Sequence, residues 1–196
     1  MTAVLAAAVL ALTACDRGNA ETPQTAPSKA EQRPAAPEAA RIGAAGSACE
    51  MPVAFGLAES WKPKPVTVAA GDPLSELARR GPLTMVCEID AKPAGNIGYL
   101  RVWTGDKGEL RPTLEAFIGT NAREPVFTEL RIGGSPALEV VYQEKSQLDD
   151  TMEQERAFAV ETAQGVAAVS LDSFDSSEHD AMLPAYELAK NSLTRS

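Results

Sequence analysis

The side chains best suited to bind a metal or take part in catalysis lie in a polar run near the carboxyl end of the chain. Residues 172–180 read Asp-Ser-Phe-Asp-Ser-Ser-Glu-His-Asp, and His179 is the single histidine of the sequence. Oxygen-rich runs bind calcium, and the His179 imidazole would add a nitrogen ligand for a softer metal. The run lacks the D-x-D-x-D-G spacing of a dedicated calcium loop. The pattern therefore indicates a polar loop whose acidic side chains lie at the positive end of the dipole of a following helix. We therefore predict no metal site.

Catalytic patterns are sparse elsewhere in the chain. A serine hydrolase would need a G-x-S-x-G elbow, and the run Gly-Gly-Ser-Pro-Ala at residues 133–137 is better explained as a turn between strands. Phosphate-binding and dinucleotide-binding glycine motifs are missing from the sequence. The acidic stretch 144–155 is typical of a solvated hairpin loop rather than a metal site. These patterns predict no catalytic residues and no cofactor.

A reactive cysteine follows an apolar segment at the amino end. Residues 1–14 carry no charge and fall short of the roughly 20 residues that span a bilayer, which is typical of a secretory signal. Leu12-Thr13-Ala14-Cys15 resembles the lipobox of bacterial lipoproteins, which implies cleavage before Cys15 and acylation of its thiol. A chance cysteine behind an ordinary signal is the alternative. Basic residues expected ahead of the apolar run are missing, which points to a start upstream of Met1.

The other two cysteines, Cys49 and Cys87, form an even pair in a chain expected to be exported. Disulfides persist in such compartments, so we predict a Cys49–Cys87 bond that ties the start of the domain to a strand over 83–89. A pair of buried free thiols and a redox pair are the alternatives. The sequence has no C-x-x-C spacing to lower a thiol pKa.

Composition divides the chain into three parts. We predict a lipoprotein signal peptide at 1–14, a lipidated cysteine with a disordered Pro/Ala-rich linker at 15–48, and one globular domain at 49–196. Residues 16–48 hold no aromatic residue and balance their charges, so they cannot offset the entropy of ordering. The formal net charge of −9 therefore falls on the domain and excludes nucleic-acid binding through a basic surface.

Alternating hydrophobicity predicts several strands in the domain. Residues 83–89 place Leu83, Met85, Cys87 and Ile89 on one face, and 126–132, 137–143, 156–162 and 166–171 read as two hairpins. Helices are predicted over 112–118 and 182–193, with Pro184 in the first turn of the second.

The strand over 97–104 offers a candidate partner surface. Tyr99, Arg101 and Trp103 alternate with apolar residues, so they share one face of the strand. If that face is exposed, these three residues are the first candidate for contact with a partner. The alternative is that the large aromatic residues belong to the core.

A further pattern extends over most of the domain: Phe55, Glu59-Ser60-Trp61 and residues 114–117, 133–137, 156–160, 165–167, 186–189 and 192–193. With the order of elements, this pattern resembles the PsbP-like fold, and it is similar to actinobacterial lipoproteins of the LpqN type. This resemblance implies an α+β fold, an α/β/α sandwich with a central antiparallel sheet, and a non-enzymatic module for binding or assembly. It supplies no catalytic motif.

We therefore expect a membrane-anchored extracytoplasmic lipoprotein that binds an envelope protein or cell-wall component without catalysis. The membrane is contacted through lipid on Cys15. Two alternatives stay open: an envelope hydrolase that uses carboxylates and His179, and a carrier of a small ligand or metal. The hydrolase needs acids converging with His179 in a cleft. The carrier needs a buried pocket of several hundred cubic ångströms, whereas the binding module predicts a packed interior and an exposed apolar patch.

Overall fold

A computed structural model describes residues 33–68, 75–146 and 149–195 of the 196-residue chain. The predicted signal, Cys15 and the first half of the predicted linker lie outside these residues. No helix in the described ranges is long and apolar enough to cross a membrane.

Antiparallel pairing joins the strands into two sheets. The described strands are β1 (Ala40–Ile42), β2 (Val53–Leu57), β3 (Lys62–Pro65), β4 (Arg79–Arg80), β5 (Leu83–Asp90), β6 (Gly98–Gly105), β7 (Arg123–Ile132), β8 (Ser135–Lys145), β9 (Met152–Glu161), β10 (Val166–Ser173) and β11 (Thr194–Arg195). The large sheet has the order β3-β5-β6-β10-β9-β8-β7, with β4 added on β5, and the small sheet has the order β1-β2-β11. The prediction of an α+β fold with an antiparallel sheet is confirmed.

One helix packs on each face of the large sheet. Helix α1 (Leu110–Ile118) packs on β8 and β9, and helix α2 (Ser176–Ser192) packs on β10 and β2. Two apolar clusters follow from this arrangement, because successive strand residues point to opposite faces. Phe117 belongs to the cluster under α1 with Trp103, whereas Tyr186 belongs to the cluster under α2 with Phe158.

Strand β5 contributes to both clusters because it contains a β-bulge. The pairing with β6 shifts between Met85 and Cys87, so one extra residue enters the strand. Leu83 and Met85 face the cluster under α1, while Cys87 and Ile89 face the cluster under α2. The prediction that these four residues share one face was therefore wrong, since a bulge reverses the alternation that follows it.

The predicted disulfide is confirmed. Cys49 and Cys87 are bonded, with Cα atoms 6.0 Å apart, and both residues are buried in the cluster under α2. The bond ties the segment before β2 to β5.

The prediction of a disordered linker was wrong for residues 33–48. Strand β1 pairs with β2 and buries Ile42, while the Ala36 N–H donates to the Pro184 carbonyl of α2 at 2.8 Å. Arg33 donates to both the carbonyl and the carboxylate of Asp180, each at 2.8 Å. Few apolar side chains anchor this segment, which is why composition alone pointed to disorder.

Helix α2 begins six residues earlier than predicted, and Pro184 lies within it. Asp175 caps its start by accepting from the Glu178 N–H at 2.8 Å. A proline inside a helix removes the donor for the carbonyl four residues earlier, which here is Asp180. Arg33 supplies that missing donor from the amino-terminal segment, so a distant residue makes the longer helix tolerable.

Candidate functional site

An open cleft of about 570 Å³ lies on the α1 side of the large sheet, near the end where β8 and β9 are joined. Side chains alternate along β6 between the two faces of the sheet. The predicted trio Tyr99, Arg101 and Trp103 therefore lies on the α1 face, where the cleft is, and Leu100 and Val102 enter the cluster under α2. The ionisable lining residues are Glu76, Arg79, Arg80, Arg101, Glu144, Lys145, Glu153, Glu155 and Asp172.

Trp103 forms part of the wall of the cleft rather than an exposed surface. Its side chain is 3% exposed, and its ring meets Phe117 edge-on at 5.3 Å between centroids. The Trp103 Nε1–H donates to Ser170 Oγ at 3.0 Å, and that hydroxyl donates to Asp172 Oδ2 at 2.7 Å. The condition for the candidate partner surface, an exposed face, is therefore not met at Trp103, because α1 covers this part of the sheet and the alternative of a core residue holds.

Asp172 bridges two guanidinium groups inside the cleft. Arg80 contacts Asp172 Oδ1 at 3.2 Å, and Arg101 contacts Asp172 Oδ2 at 3.3 Å. Arg101 also donates to Glu88 at 2.9 Å and lies 4.7 Å from the centre of the Tyr99 ring. Tyr99 and Arg101 are half-buried. Arg101 lines the cleft, and Tyr99 contacts Arg101 from beside it.

Arg80 crosses from β4 to the far side of the cleft. It stacks 4.8 Å from the centre of the Phe117 ring and donates to Tyr142 Oη at 3.1 Å and to Glu144 at 3.4 Å. Burial raises the pKa of the Tyr142 hydroxyl, so this phenol stays neutral. Arg80 therefore links the short strand β4 to β8 and β10.

Glu155 is the one carboxyl of the cleft interior that has no hydrogen-bond or ion-pair partner among residues 33–68, 75–146 and 149–195. Its side chain is half-buried on β9, directly across from Tyr142 of β8. Burial, and then the negative charge of Asp172, raises the pKa of the Glu155 carboxyl to about 9 against the opposing effect of Arg80. The group is neutral at pH 7 and gives the cleft both a donor and an acceptor.

Sequence reasoning missed Arg80 and Glu155. No predicted motif included Arg80, which lies on the two-residue strand β4. Glu155 fell in the acidic stretch predicted as a hairpin loop, whereas the structure begins β9 at Met152. Glu153, Glu155 and Ala157 fall on the same face as Ala159 when residues are taken two apart. This spacing was the signal that could have extended the strand predicted over 156–162 towards the amino end.

His179 does not line the cleft, although the charge of Glu153, a lining residue, acts on it. It is 1% exposed on α2, and its Nε2 accepts from Arg156 Nε at 3.1 Å, while Nδ1 has no partner among the described residues. Burial, followed by the positive charge of Arg156, lowers the pKa of His179 to about 4. A hydrolase that pairs His179 with the acids of the cleft is therefore not assembled here, since His179 is not among the lining residues.

The polar run 172–180 divides between β10, the cap of α2 and the helix itself. Asp175 caps α2, and Glu178 accepts from the Ile97 N–H at 2.9 Å. Within the described part of the chain, no three His, Cys, Asp or Glu side chains are grouped so that they could hold a metal ion. Asp175 therefore serves the helix terminus, as the sequence favoured, whereas Asp172 belongs to the cleft and Asp180 pairs with Arg33.

Comparison with known proteins yields one family. Residues 19–193 match the model of a protein family described as an uncharacterised lipoprotein. No curated protein and no solved structure matches the chain.

Proposed function

The chain belongs to this family of lipoproteins, and from that premise we propose that it is anchored to the cell membrane through lipid on Cys15 and binds an envelope protein or cell-wall component without catalysis. The family match covers most of the chain, and Leu12-Thr13-Ala14-Cys15 supplies the acylation motif. Two acyl chains hold a protein at a membrane stably, whereas one gives only marginal binding. The extracytoplasmic face is supported by the Cys49–Cys87 bond, because disulfides persist outside the cytoplasm.

The cleft is the proposed binding site, and one observation carries this assignment. Glu155 opens into a concavity of about 570 Å³ with its carboxyl unpaired among the described residues. Binding sites are concave and present a few polar groups that the fold does not use, so an unpaired carboxyl that lines a concavity suits a binding site. The net charge of −9 supports a domain that stays off an anionic lipid surface.

The cleft volume favours a second candidate, a carrier of a small ligand. Sites for small molecules measure roughly 300–1,000 Å³, and the cleft falls within that range. The cleft is open on one side, so a group that protrudes from a larger partner could enter it as well as a small ligand could. Identifying what the cleft contacts in cells separates the two candidates.

We further propose that the domain is PsbP-like and related to actinobacterial LpqN-type lipoproteins. Support comes from the antiparallel sheet with one helix on each face. An experimental structure superposed on PsbP-like domains tests this relationship, and a different strand order would contradict it.

Anchoring is tested with Cys15→Ala and a matched Ser28→Ala control in the same segment. Cells are fed an alkyne-bearing fatty acid, and label is measured on the purified protein. We expect Cys15→Ala to lose the label and to accumulate as precursor or leave the membrane, while the control keeps both. Unchanged labelling and attachment of Cys15→Ala would contradict the anchor.

Binding is tested by photo-crosslinking in intact cells. A photoreactive residue replaces Leu77 or Phe174, which line the cleft and are 75% and 51% exposed, or Val126, which is 62% exposed on β7 and does not line it. We expect one product that is shared by the two cleft positions and missing at Val126. Identical products at all three positions, or none at the cleft, would overturn the proposed site. The mass of the crosslinked product distinguishes a macromolecular partner from a small ligand.

A further inference from the structure

The two guanidinium groups of the cleft interior are already occupied. Arg80 is shared between Asp172 and Glu144, and Arg101 is shared between Asp172 and Glu88. An anionic ligand would have to displace at least one of these contacts. The arginines therefore hold the acids of the site in place rather than offering a vacant anion-binding position.

Charge in this interior is unbalanced in the negative direction. Two guanidinium groups contact three carboxylates, of which Asp172 and Glu144 line the cleft and Glu88 lies beside it, and Glu155 adds a fourth carboxyl that pairs with none of the described residues. A carboxyl beside such a network keeps its proton unless a further cation arrives. The position beside the Glu155 carboxyl is therefore suited to a positively charged group of a ligand.

The charged side chains at the mouth do not fill that position. Lys145 is paired with Asp150 at 2.6 Å, and exposed Arg79 is offset by exposed Glu76 in the lining. Two apolar side chains, Leu77 and Phe174, stand exposed at the same mouth. The cleft thus combines a negatively biased interior with an apolar entrance.

We propose that the cleft binds an ammonium group carried on an aliphatic stem, with the ammonium at Glu155 and the stem against Leu77 and Phe174. Because burial raises the pKa of the Glu155 carboxyl, ionisation of this group on binding releases a proton to solvent. This inference rests on the proposed function, because it names the chemistry that the proposed site recognises. A lysine side chain of a peptide and a free alkylamine share this chemistry.

Proton release makes binding depend on pH. The groups that face Glu155 are Asp172 of β10, Glu144 and Tyr142 of β8, Arg80 of β4 and Arg101 of β6. Asp172 and Glu144 favour the protonated carboxyl, and the two arginines oppose it. When one proton leaves on binding, affinity rises by about tenfold per pH unit while the free site is protonated and the bound site is ionised.

Calorimetric titration of the intact disulfide-bonded domain tests the proposal. The probes are N-acetyl-lysine methylamide, cadaverine and N-acetyl-norleucine methylamide, which keeps an aliphatic stem but lacks the ammonium. We expect the lysine probe to bind up to about a hundredfold more tightly at pH 8 than at pH 6, and more tightly than the norleucine probe. Equal binding by both cadaverine and the lysine probe would extend the ligand class to free amines, whereas selective binding of the lysine probe would assign it to peptides.

Glu155→Gln is the decisive variant, because the amide resembles the protonated carboxyl in shape and cannot ionise. We expect it to fold, to bind the lysine probe at least tenfold more weakly at pH 8, and to lose the pH dependence. Glu153→Gln is the matched control, since Glu153 also lines the cleft but already accepts from Thr151 and Ser176. It should retain the pH dependence. Wild-type binding that ignores pH, or Glu155→Gln binding that equals wild type, would overturn the inference.

Failure of this inference is distinguishable from failure of the proposed function. Specific crosslinks from Leu77 and Phe174 without amine binding would leave the cleft as the binding site and reject the ammonium ligand. Loss of the specific crosslinks would reject the site itself.

Discussion

Replacing His179 with glutamine should remove the contribution that this residue makes to the acid sensitivity of folding stability. Burial and the charge of Arg156 lower the pKa of His179 from 6.5 to about 4 in the folded domain. As pH falls from 6.5 towards 4, the unfolded chain binds a proton that the folded domain does not bind. The free energy of unfolding therefore decreases over this window and is fully retained above it.

The size of this effect follows from the pKa difference. Linkage with pKa values of 6.5 and about 4 gives a loss of about 2 kcal/mol between pH 7.5 and pH 5, and about 3 kcal/mol once both states are protonated. Glu155 acts in the opposite sense, because its raised pKa makes the folded domain less stable as pH rises above 4.5. Glu155 is present in wild type and variant alike, so its contribution cancels in their difference.

Urea denaturation followed by circular dichroism at pH 5, 6 and 7.5 measures the effect. In His179→Gln the amide oxygen replaces Nε2 as acceptor for Arg156, and we expect its stability to fall by about 2 kcal/mol less than that of wild type between pH 7.5 and 5. The control adds Gln164→His to this variant, because an exposed histidine titrates alike in the folded and unfolded chain. If the free energy of unfolding of His179→Gln changed with pH in parallel with that of wild type, the reasoning would be refuted. It would also be refuted if the control variant regained the wild-type dependence on pH.

Three further outcomes are expected from the fold. Trp103→Ala should cost about 3–5 kcal/mol in urea denaturation because it removes a buried ring, whereas a loss below about 1 kcal/mol would indicate an exposed residue. Replacing Cys49 and Cys87 together with alanine should lower the free energy of unfolding by about 4 kcal/mol, as expected for closing a loop of 38 residues, and added reductant should not destabilise this variant further. Arg33→Ala should cost at most about 1 kcal/mol but should speed hydrogen exchange at the Ala36 amide, while unchanged exchange would show that Arg33 does not hold the segment on α2.

Local patterns predicted the elements that repeat a simple period. The alternation around Leu100 and Val102 correctly indicated strand β6, and the helix predicted over 112–118 ends with α1 at Ile118, because these signals depend only on neighbouring residues. The same reasoning failed at β5, where an extra residue at the bulge reverses the faces. It also failed at α2, where Arg33 supplies the bond that Pro184 cannot make.

The cleft depends on contacts that no local pattern encodes. Arg80 reaches Asp172 across 92 residues of sequence and Tyr142 across 62 residues, so neither partner is visible from the neighbourhood of Arg80. Glu155 looked like one acid among many in a charged stretch. Its distinctive chemistry arises only from burial beside Asp172 and Glu144.

The sequence by itself determined the lipobox-like motif that ends at Cys15, the alternation of the central strands and the expected pairing of the two remaining cysteines. These features follow from residue type and short-range spacing. Only the tertiary structure decided that Trp103 is core, that residues 33–48 belong to the fold, and that Glu155 lines a cleft with its carboxyl unpaired among the described residues. Burial and electrostatic balance are properties of groups brought together from distant positions, so they exist only once the sheet has assembled.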